Sequence, residues 1–285
     1  MALLEGYIRM MSHKGINPVS YFWDYVEENP EKEYKDKEPK SVSINSLIGK
    51  KIKLYTNDEI RCIECGKKTK KSFNQGHCFV CFSKLAKNDL CILRPETCHF
   101  EKGTCREPEW GKTHCFKKHI VYFANSSGLK VGITKENPVS NRWVDQGARF
   151  GFPLIEVESR KDAGTIEAYL AKFLPDKTSW QKMVSGDPNP INLEKEANKF
   201  LKHIETVPAL TKDALAPKWK QVEKPIVTEI QYPIQEYPKK IKSLKLNKET
   251  PINDLLVGIK GQYLLFESGV INIRSLGGLW VGIEF

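Results

Sequence analysis

The chain has 285 residues, of which 40% are hydrophobic and 28% are charged. These values are ordinary for a globular protein, and they exclude a disordered or fibrous chain. The formal net charge of +10 at pH 7 favours a polyanionic partner such as DNA or RNA, although a solvated, lysine-rich surface would give the same value. No apolar run is long enough to span a bilayer, and the N-terminus lacks the pattern of a signal peptide. We therefore expect a cytoplasmic protein with no membrane partner.

Residues 1–61 form the first predicted region, which consists of β strands. Apolar and polar side chains alternate over residues 6–10, 19–26 and 51–55, and this period of two is typical of half-buried strands. Residues 27–40 are almost wholly charged, so we predict a solvated loop there. This region has no group of residues that indicates catalysis.

Residues 62–118 form a predicted cysteine-rich, metal-binding segment that contains all 8 cysteines. Its first half has two Cys-x-x-Cys motifs, Cys62-Ile-Glu-Cys65 and Cys78-Phe-Val-Cys81. This spacing is typical of a zinc ion held by four thiolates with no ligand position left open. The pattern therefore predicts a structural zinc site.

The other four cysteines of this segment are irregularly spaced. They are Cys91, Cys98, Cys105 and Cys115, and His99, His114 and His119 are available as substitute ligands. A second zinc ion is our first interpretation, so we expect about two structural Zn²⁺ ions in the chain. An iron–sulfur cluster, which also takes four thiolates, and reduced cysteines without metal stay open as alternatives.

The same segment has more basic than acidic residues and contains a run of lysines. These are Lys67, Lys68, Lys70 and Lys71. We predict that their side chains contact the phosphate groups of a nucleic acid. A merely solvated basic surface is the alternative.

Residues 119–180 alternate between predicted strands and helices. Strand, turn and strand occupy residues 119–134, a helix begins near Pro138, a third strand covers residues 153–157, and a second helix runs from an Asp162 cap to Leu174. Glu167 lies on the apolar stripe of the second helix. A carboxylate at such a position is costly unless a cation, a metal or hydrogen-bond donors meet it. We therefore expect Glu167 to be either a metal ligand or the structural partner of an arginine.

The order of these motifs resembles the GIY-YIG nuclease module. The motifs are Val-Tyr-Phe, then Val-Gly-Ile-Thr, then Arg-Trp on a helix, and a glutamate on a later helix. The whole chain resembles an uncharacterised prokaryotic family that attaches such a module to a cysteine-rich region. The resemblance implies phosphodiester hydrolysis, with Tyr122 as general base, Arg142 offsetting negative charge and Glu167 binding Mg²⁺ or Mn²⁺.

Two positions differ from the pattern of that family. The second motif begins with Lys130 where the family has tyrosine, and Gln146 stands where histidine or tyrosine is common. Lys130 can still bind phosphate as a cation, whereas Gln146 can form hydrogen bonds but cannot transfer protons near neutral pH. Two functions stay open: a metal-dependent endonuclease, and an inactive zinc-stabilised protein that binds DNA or RNA or acts as an adaptor.

The last two regions are a helix with a proline-rich linker, residues 181–251, and a set of strands, residues 252–285. The helix is predicted to begin after Asn192. The three C-terminal strands are too few to bury a core alone, so we expect them to pair with residues 1–61 in one discontinuous β domain. The predicted fold class is therefore α+β, with a zinc-binding cysteine-rich segment and, by the resemblance, a GIY-YIG-like three-stranded antiparallel sheet with flanking helices.

Overall fold

The computed structural model describes residues 3–28, 38–135, 139–174, 179–212 and 216–285. The strands are β1 (Leu3–Ile8), β2 (Ser12–Lys14), β3 (Ser20–Val26), β4 (Lys40–Ser43), β5 (Lys51–Ile60), β6 (His119–Asn125), β7 (Leu129–Lys135), β8 (Phe150–Val157), β9 (Trp219–Gln221), β10 (Thr228–Glu229), β11 (Ile252–Lys260), β12 (Tyr263–Phe266), β13 (Gly269–Asn272) and β14 (Leu279–Glu284). The helices are α1 (Phe79–Lys84), α2 (Leu90–Leu93), α3 (Pro108–His114), α4 (Val139–Asp145), α5 (Arg160–Leu170), α6 (Trp180–Ser185), α7 (Leu193–Glu205) and α8 (Pro208–Thr211). Helices and antiparallel sheets are thus mixed, as the α+β class predicts. Within the described ranges, no helix combines the length and the apolar character that crossing a bilayer requires.

The chain divides into two compact units. Unit 1 comprises Met1–Lys84, Val184–Gly186 and Gln231–Phe285, and unit 2 comprises Leu85–Met183 and Asp187–Ile230. The predicted segment 62–118 is divided at this boundary. Its first four cysteines therefore belong to unit 1 and its last four to unit 2.

Unit 1 is built on one antiparallel sheet with the strand order β13-β12-β11-β5-β14-β1-β3-β2, and β4 also pairs with β3. Strand β14 lies between β1 and β5, so strands from both ends of the chain share hydrogen bonds. Tyr7, Trp23 and Leu54 are fully buried in this unit. The C-terminal region contains four strands where the sequence predicts three, because β11 was missed.

Unit 2 contains a sheet with the order β10-β8-β6-β7, and β9 also pairs with β8. The three predicted strands are adjacent as β7, β6 and β8, and the two short strands β9 and β10 extend the sheet beyond the prediction. All residues of β6 are buried. Val121 and Phe123 on this strand belong to the same buried core as Ile166 of α5 and Leu201 of α7. The helices α5 and α7 therefore cover one face of β6.

Helix α5 begins and ends earlier than the sequence predicts. Its N-cap is Ser159, whose hydroxyl oxygen accepts a hydrogen bond from the Asp162 N–H at 3.1 Å. The predicted Asp162 cap was therefore wrong, because a serine three residues earlier takes the capping role. The helix ends at Leu170 and not at the predicted Leu174, and a 3₁₀ turn follows it. Glu167 lies in the last turn of α5.

The start of helix α7 and the end of helix α4 are clearly defined. Asn192 caps α7 as predicted, with its side-chain oxygen accepting from the Lys195 N–H at 2.9 Å. The predicted start of α4 at Pro138 lies outside the described residues. Gly147 follows α4 with φ of +66°, a left-handed conformation that glycine adopts without steric cost.

Candidate functional site

The first four cysteines form a compact cluster in unit 1. The Sγ atoms of Cys62, Cys65, Cys78 and Cys81 all lie within 4.8 Å of one another. The Cys65 and Cys78 sulfurs are 3.8 Å apart. A tetrahedron with zinc–sulfur bonds of about 2.3 Å has an edge of about 3.8 Å. These four residues are therefore close enough to hold a metal ion such as zinc.

The backbone around Cys62 lowers the pKa of this thiol. The Gly66 N–H donates to the Cys62 carbonyl oxygen at 2.9 Å and closes the turn of the first motif. Burial raises the pKa of Cys62, but the backbone N–H groups of Cys65, Cys78 and Glu64 outweigh it and lower that pKa to about 7. The thiolate is the form that binds a metal ion, so the backbone favours the binding form at Cys62, whereas burial raises the pKa of Cys65 and of Cys81.

The second set of cysteines surrounds a cavity of about 20 Å³ in unit 2. The cysteines in its lining are Cys91, Cys98, Cys105 and Cys115. Among the described residues, the sulfurs of this second set do not all lie within 4.8 Å of one another, so they are less tightly grouped than the first set. The possible ligand atoms of Asp89, Cys91 and His99 do lie within 4.8 Å of one another. A four-thiolate centre and an Asp-Cys-His centre are thus the two possible ligand sets.

The three histidines considered as substitute ligands have different surroundings. His99 Nδ1 lies 2.7 Å from the Thr104 hydroxyl, and only its other nitrogen faces Asp89, at 3.5 Å. The His114 ring stacks on Trp110 with ring centroids 4.2 Å apart. His119 Nδ1 is 2.7 Å from a backbone carbonyl oxygen. His99 is therefore the histidine best placed to bind a metal.

The predicted lysines lie on an exposed part of unit 1, together with aromatic rings. Lys67, Lys68, Lys70 and Lys71 are all exposed, and Lys68 forms an ion pair with Glu59. Lys71 Nζ lies 5.3 Å from the centroid of Phe73, and the Phe73 ring packs edge to face on Phe79 at 5.6 Å. Phe79 is 62% exposed although it is aromatic. We call Lys67, Lys70, Lys71, Phe73 and Phe79 the aromatic–lysine surface.

Unit 2 brings together the four predicted catalytic residues from four elements: Tyr122 from β6, Lys130 from β7, Arg142 from α4 and Glu167 from α5. Arg142 and Glu167 both influence the pKa of Tyr122, and the same two groups influence the pKa of Lys130. Arg142 and Lys130 in turn act on Glu167. The four side chains therefore share one electrostatic environment.

The side chain of Tyr122 is fully buried and closely packed. A β-bulge separates it from Val121 in the pairing of β6 with β8, and bulges re-aim side chains in this way. Gln146 Nε2 donates to the Tyr122 hydroxyl oxygen at 2.9 Å. Tyr122 pairs with Gly132 across the strands, where an added Cβ would lie 2.5 Å from the hydroxyl oxygen. Only glycine at position 132 leaves room for this hydroxyl.

Burial is the main cause of the pKa shifts of three groups in this site. It raises the pKa of Tyr122 to about 12, although Arg142 acts against it, so Tyr122 keeps its proton at neutral pH. Burial also raises the pKa of Glu167 to about 7, against the effects of Arg160 and Arg142. It lowers the pKa of Lys130 to about 8, and Arg142 acts in the same direction. Glu167 and Lys130 therefore change their protonation state near neutral pH, whereas Tyr122 does not.

Arg160 belongs to this site but was not predicted from the sequence. It acts on Glu167 more strongly than any other charged group. Its Nη2 donates to the Ile92 carbonyl oxygen at 2.7 Å, and within the described ranges its buried Nε has no hydrogen-bond partner. One signal could have identified it. A cation in the first turn of a helix opposes the helix dipole, and such a position calls for a compensating interaction.

Comparison with protein families gives one match. Residues 49–281, which include both cysteine sets and all four predicted catalytic residues, match a family model described as "Protein of unknown function (DUF2797)". Comparison with curated proteins and with solved structures gave no match.

The first cysteine cluster leads to a test of metal content. Cys65→Ser removes one thiolate from the shell, so we expect the full chain to lose about one zinc ion and to melt at a lower temperature, since structural zinc contributes directly to folding. Elemental analysis and thermal melting measure the two effects. Ser83→Ala, on the exposed side of α1 beside this cluster, is the control and should change neither. Full metal content in Cys65→Ser would contradict the assignment.

The pKa of Glu167 predicts how stability depends on pH without divalent metal. Because the folded state raises this pKa from 4.5 to about 7, it binds the proton more tightly than the unfolded state. The ionised carboxylate therefore destabilises the fold increasingly as the pH rises from about 4.5 to about 7, and the effect then levels off. Glu167→Gln resembles the protonated form.

We expect Glu167→Gln to melt at a higher temperature than the native chain at pH 8 in buffer without added Mg²⁺ or Mn²⁺, and at nearly the same temperature at pH 4. Thermal melting of both proteins at each pH gives the comparison. Glu194→Gln, at an exposed position of α7, should show no such dependence. A lower melting temperature for Glu167→Gln at pH 8 would instead identify Glu167 as a structural ion-pair partner.

Proposed function

Because the chain belongs to the DUF2797 family, whose description assigns no activity, we propose its function from the site in unit 2: divalent-metal-dependent cleavage of phosphodiester bonds in DNA or RNA. One observation carries this proposal. The half-buried carboxylate of Glu167 is influenced by the cationic groups of Arg160, Arg142 and Lys130, with Glu96 as a neighbouring like charge. Fixed cations recognise the negative charge of a phosphodiester, and a carboxylate binds a divalent cation that contacts the same phosphate.

The surroundings of Glu167 suit a divalent cation. Among the described residues, its carboxylate forms no hydrogen bond and no ion pair within 4 Å, so its oxygens are available to a ligand. Mg²⁺ is commonly held by one or two carboxylates together with water and substrate phosphates. The three neighbouring cations would repel a bare metal ion, which favours binding of metal and phosphate together. An ion bound there would neutralise charge on the scissile phosphate.

The protein side chains have distinct proposed roles. Arg142 and Arg160 offset the negative charge that develops on the phosphate. Tyr122 keeps its proton at neutral pH, so we assign it a hydrogen-bond donor role and not the general-base role that the resemblance implies. Lys130 has a pKa of about 8, which lies near the operating pH, and its neutral fraction can accept a proton from the attacking water. The cysteine cluster of unit 1 has a structural role in this proposal.

The aromatic–lysine surface supports nucleic acid as the substrate class. Lys67, Lys70 and Lys71 can contact phosphates, and the exposed ring of Phe79 offers a face for base stacking. A protein that binds DNA or RNA without cleaving it is the second candidate function. It is favoured by this surface together with the presence of Gln146, which cannot transfer protons near neutral pH.

Cleavage of labelled DNA and RNA oligonucleotides in Mg²⁺ or Mn²⁺ separates the two functions. We expect cleavage to accelerate as the pH rises through about 7 to 8, because Glu167 and Lys130 lose protons in this range. Glu167→Gln should reduce metal-dependent cleavage at least about a hundred-fold and leave binding intact, because the charge is lost at constant shape. Glu194→Gln is the control. Undiminished cleavage by Glu167→Gln would rule out the assigned site, and binding without any cleavage by the native chain would select the second function.

The binding surface can be tested separately by the salt dependence of affinity. Replacing Lys70 and Lys71 with glutamine should weaken binding to single-stranded oligonucleotides of any sequence and lower the slope of log K against log salt by about 1 for each lost phosphate contact. Phe79→Ala should cost about 1–3 kcal/mol of binding free energy with an unchanged slope. Lys50→Gln, elsewhere on unit 1, is the matched control. If all these variants bind like the native chain, the nucleic acid does not bind to this surface.

A further inference from the structure

The geometry points to a second metal centre: the thiols of Cys91, Cys98, Cys105 and Cys115 hold a thiophilic metal in unit 2, and this centre positions the helix α5 that carries Arg160 and Glu167. The inference that a metal binds here is independent of the proposed function. The inference that the centre positions α5 for catalysis rests on the proposed function.

The first argument is the composition of the cavity. Its volume of about 20 Å³ is enough for a single small ligand. Besides the four thiols, apolar side chains such as Ile92, Phe100 and Trp110 line it. Soft thiolates within an apolar wall select zinc or iron–sulfur clusters over hard cations.

The second argument is that the segment around this cavity has little regular secondary structure and exposes part of its apolar surface. It consists of 3₁₀ turns and the short helices α2 and α3. Two of its aliphatic side chains point outward, since Leu90 is 58% and Leu93 is 78% exposed. Segments with so little buried apolar surface usually need a metal or a covalent crosslink to fold.

The third argument concerns the choice of ligands. The Asp89 carboxylate receives a hydrogen-bonded ion pair from Arg106 Nε at 2.8 Å, and His99 is bound to Thr104. Asp89 is thus engaged by Arg106, whereas the second nitrogen of His99 faces Asp89 at 3.5 Å. Four thiolates complete a tetrahedral shell by themselves, so we take the thiols as the ligand set and Asp89 and His99 as residues that orient them from outside.

The fourth argument is the direct contact between this segment and α5. An added Cβ at Gly164 of α5 would clash with Pro95 and lie 2.9 Å from the Glu96 nitrogen, so the helix rests on the turn between Cys91 and Cys98. At the start of α5, the Arg160 N–H donates to the Cys115 carbonyl oxygen at 2.7 Å. Movement of the cysteine segment would therefore move α5.

Charge supplies a further link between the centre and the site. Within the described ranges, the Arg160 guanidinium forms no ion pair within 4 Å, and a buried cation without a counter-charge is strongly unfavourable. Four thiolates around one divalent ion leave a net negative charge. Such a centre next to Arg160 would stabilise the guanidinium that faces Glu167. Arg160 is thus a positioning residue between the two.

Metal content of the full chain tests the centre. Protein purified without chelator from cells supplied with zinc and iron should contain either two zinc ions, or one zinc ion together with iron and acid-labile sulfide. Cys105→Ser should lose the second metal and keep the first, whereas His99→Gln should keep both. A native chain with a single zinc ion, or a Cys105→Ser variant with full metal content, would overturn the centre. Loss of metal in His99→Gln alone would replace the four-thiolate set with the Asp89, Cys91 and His99 set.

Hydrogen exchange tests the positioning. In Cys105→Ser, amides of α5 should exchange at least about tenfold faster than in the native chain, while those of β5 in unit 1 stay unchanged. If Cys105→Ser does not fold, Gly164→Ala serves instead. It keeps all four thiols, so we expect full metal content with faster exchange in α5. Unchanged exchange in every folded variant would overturn the positioning role. Because neither readout uses activity, metal and exchange results as expected without cleavage would refute the proposed function alone.

Discussion

The carboxylate of Glu167 is half-buried in the folded chain, and the positive groups around it only partly replace the water that it loses. Burial has the larger effect, so the pKa of Glu167 is about 7 although Arg160 and Arg142 lower it. The proposed site in unit 2 depends on this balance. The strands β6 and β7 and the helix α4 each contribute one of the groups that share the electrostatic environment of Glu167. If helix α5 moved away from these elements, Glu167 would lose the neighbouring charges that oppose the effect of its burial.

The packing around Tyr122 and α5 depends on two glycines in different ways. Gly132 leaves the space that the Tyr122 hydroxyl occupies on the buried strand β6. Gly164 allows α5 to lie directly on the turn that contains Pro95. In both places the absence of a side chain permits a close approach of two elements, and a methyl group would force them apart. The position of the site is thus set by backbone contacts as well as by its charged groups.

Most features that the sequence predicted have a local signal, and several that it missed depend on distant contacts. Two Cys-x-x-Cys motifs suffice to predict the compact cluster, because the motif spacing itself brings the sulfurs together. Strand β11 was missed because its last five residues are all buried, and a strand covered on both faces loses the alternating pattern. Arg160 was missed because an arginine beside Lys161 looks like a solvated charge in the sequence. Its burial arises from contact with a segment about 70 residues earlier in the chain.

In the proposed nuclease, the two positions that depart from the GIY-YIG pattern affect the same proton transfer. Gln146 donates a hydrogen bond to the Tyr122 hydroxyl oxygen, which uses an acceptor position on that oxygen and leaves the phenol to act as a donor. With a pKa of about 12, Tyr122 loses its proton too rarely at neutral pH to act as a general base without help. Lys130 stands where the GIY-YIG pattern has a second tyrosine, and the pKa of Lys130, about 8, is much closer to neutral pH. A lysine in this position can therefore take over the proton transfer, so the two departures are compatible with a hydrolytic site in which the tyrosine orients the substrate and the lysine accepts the proton.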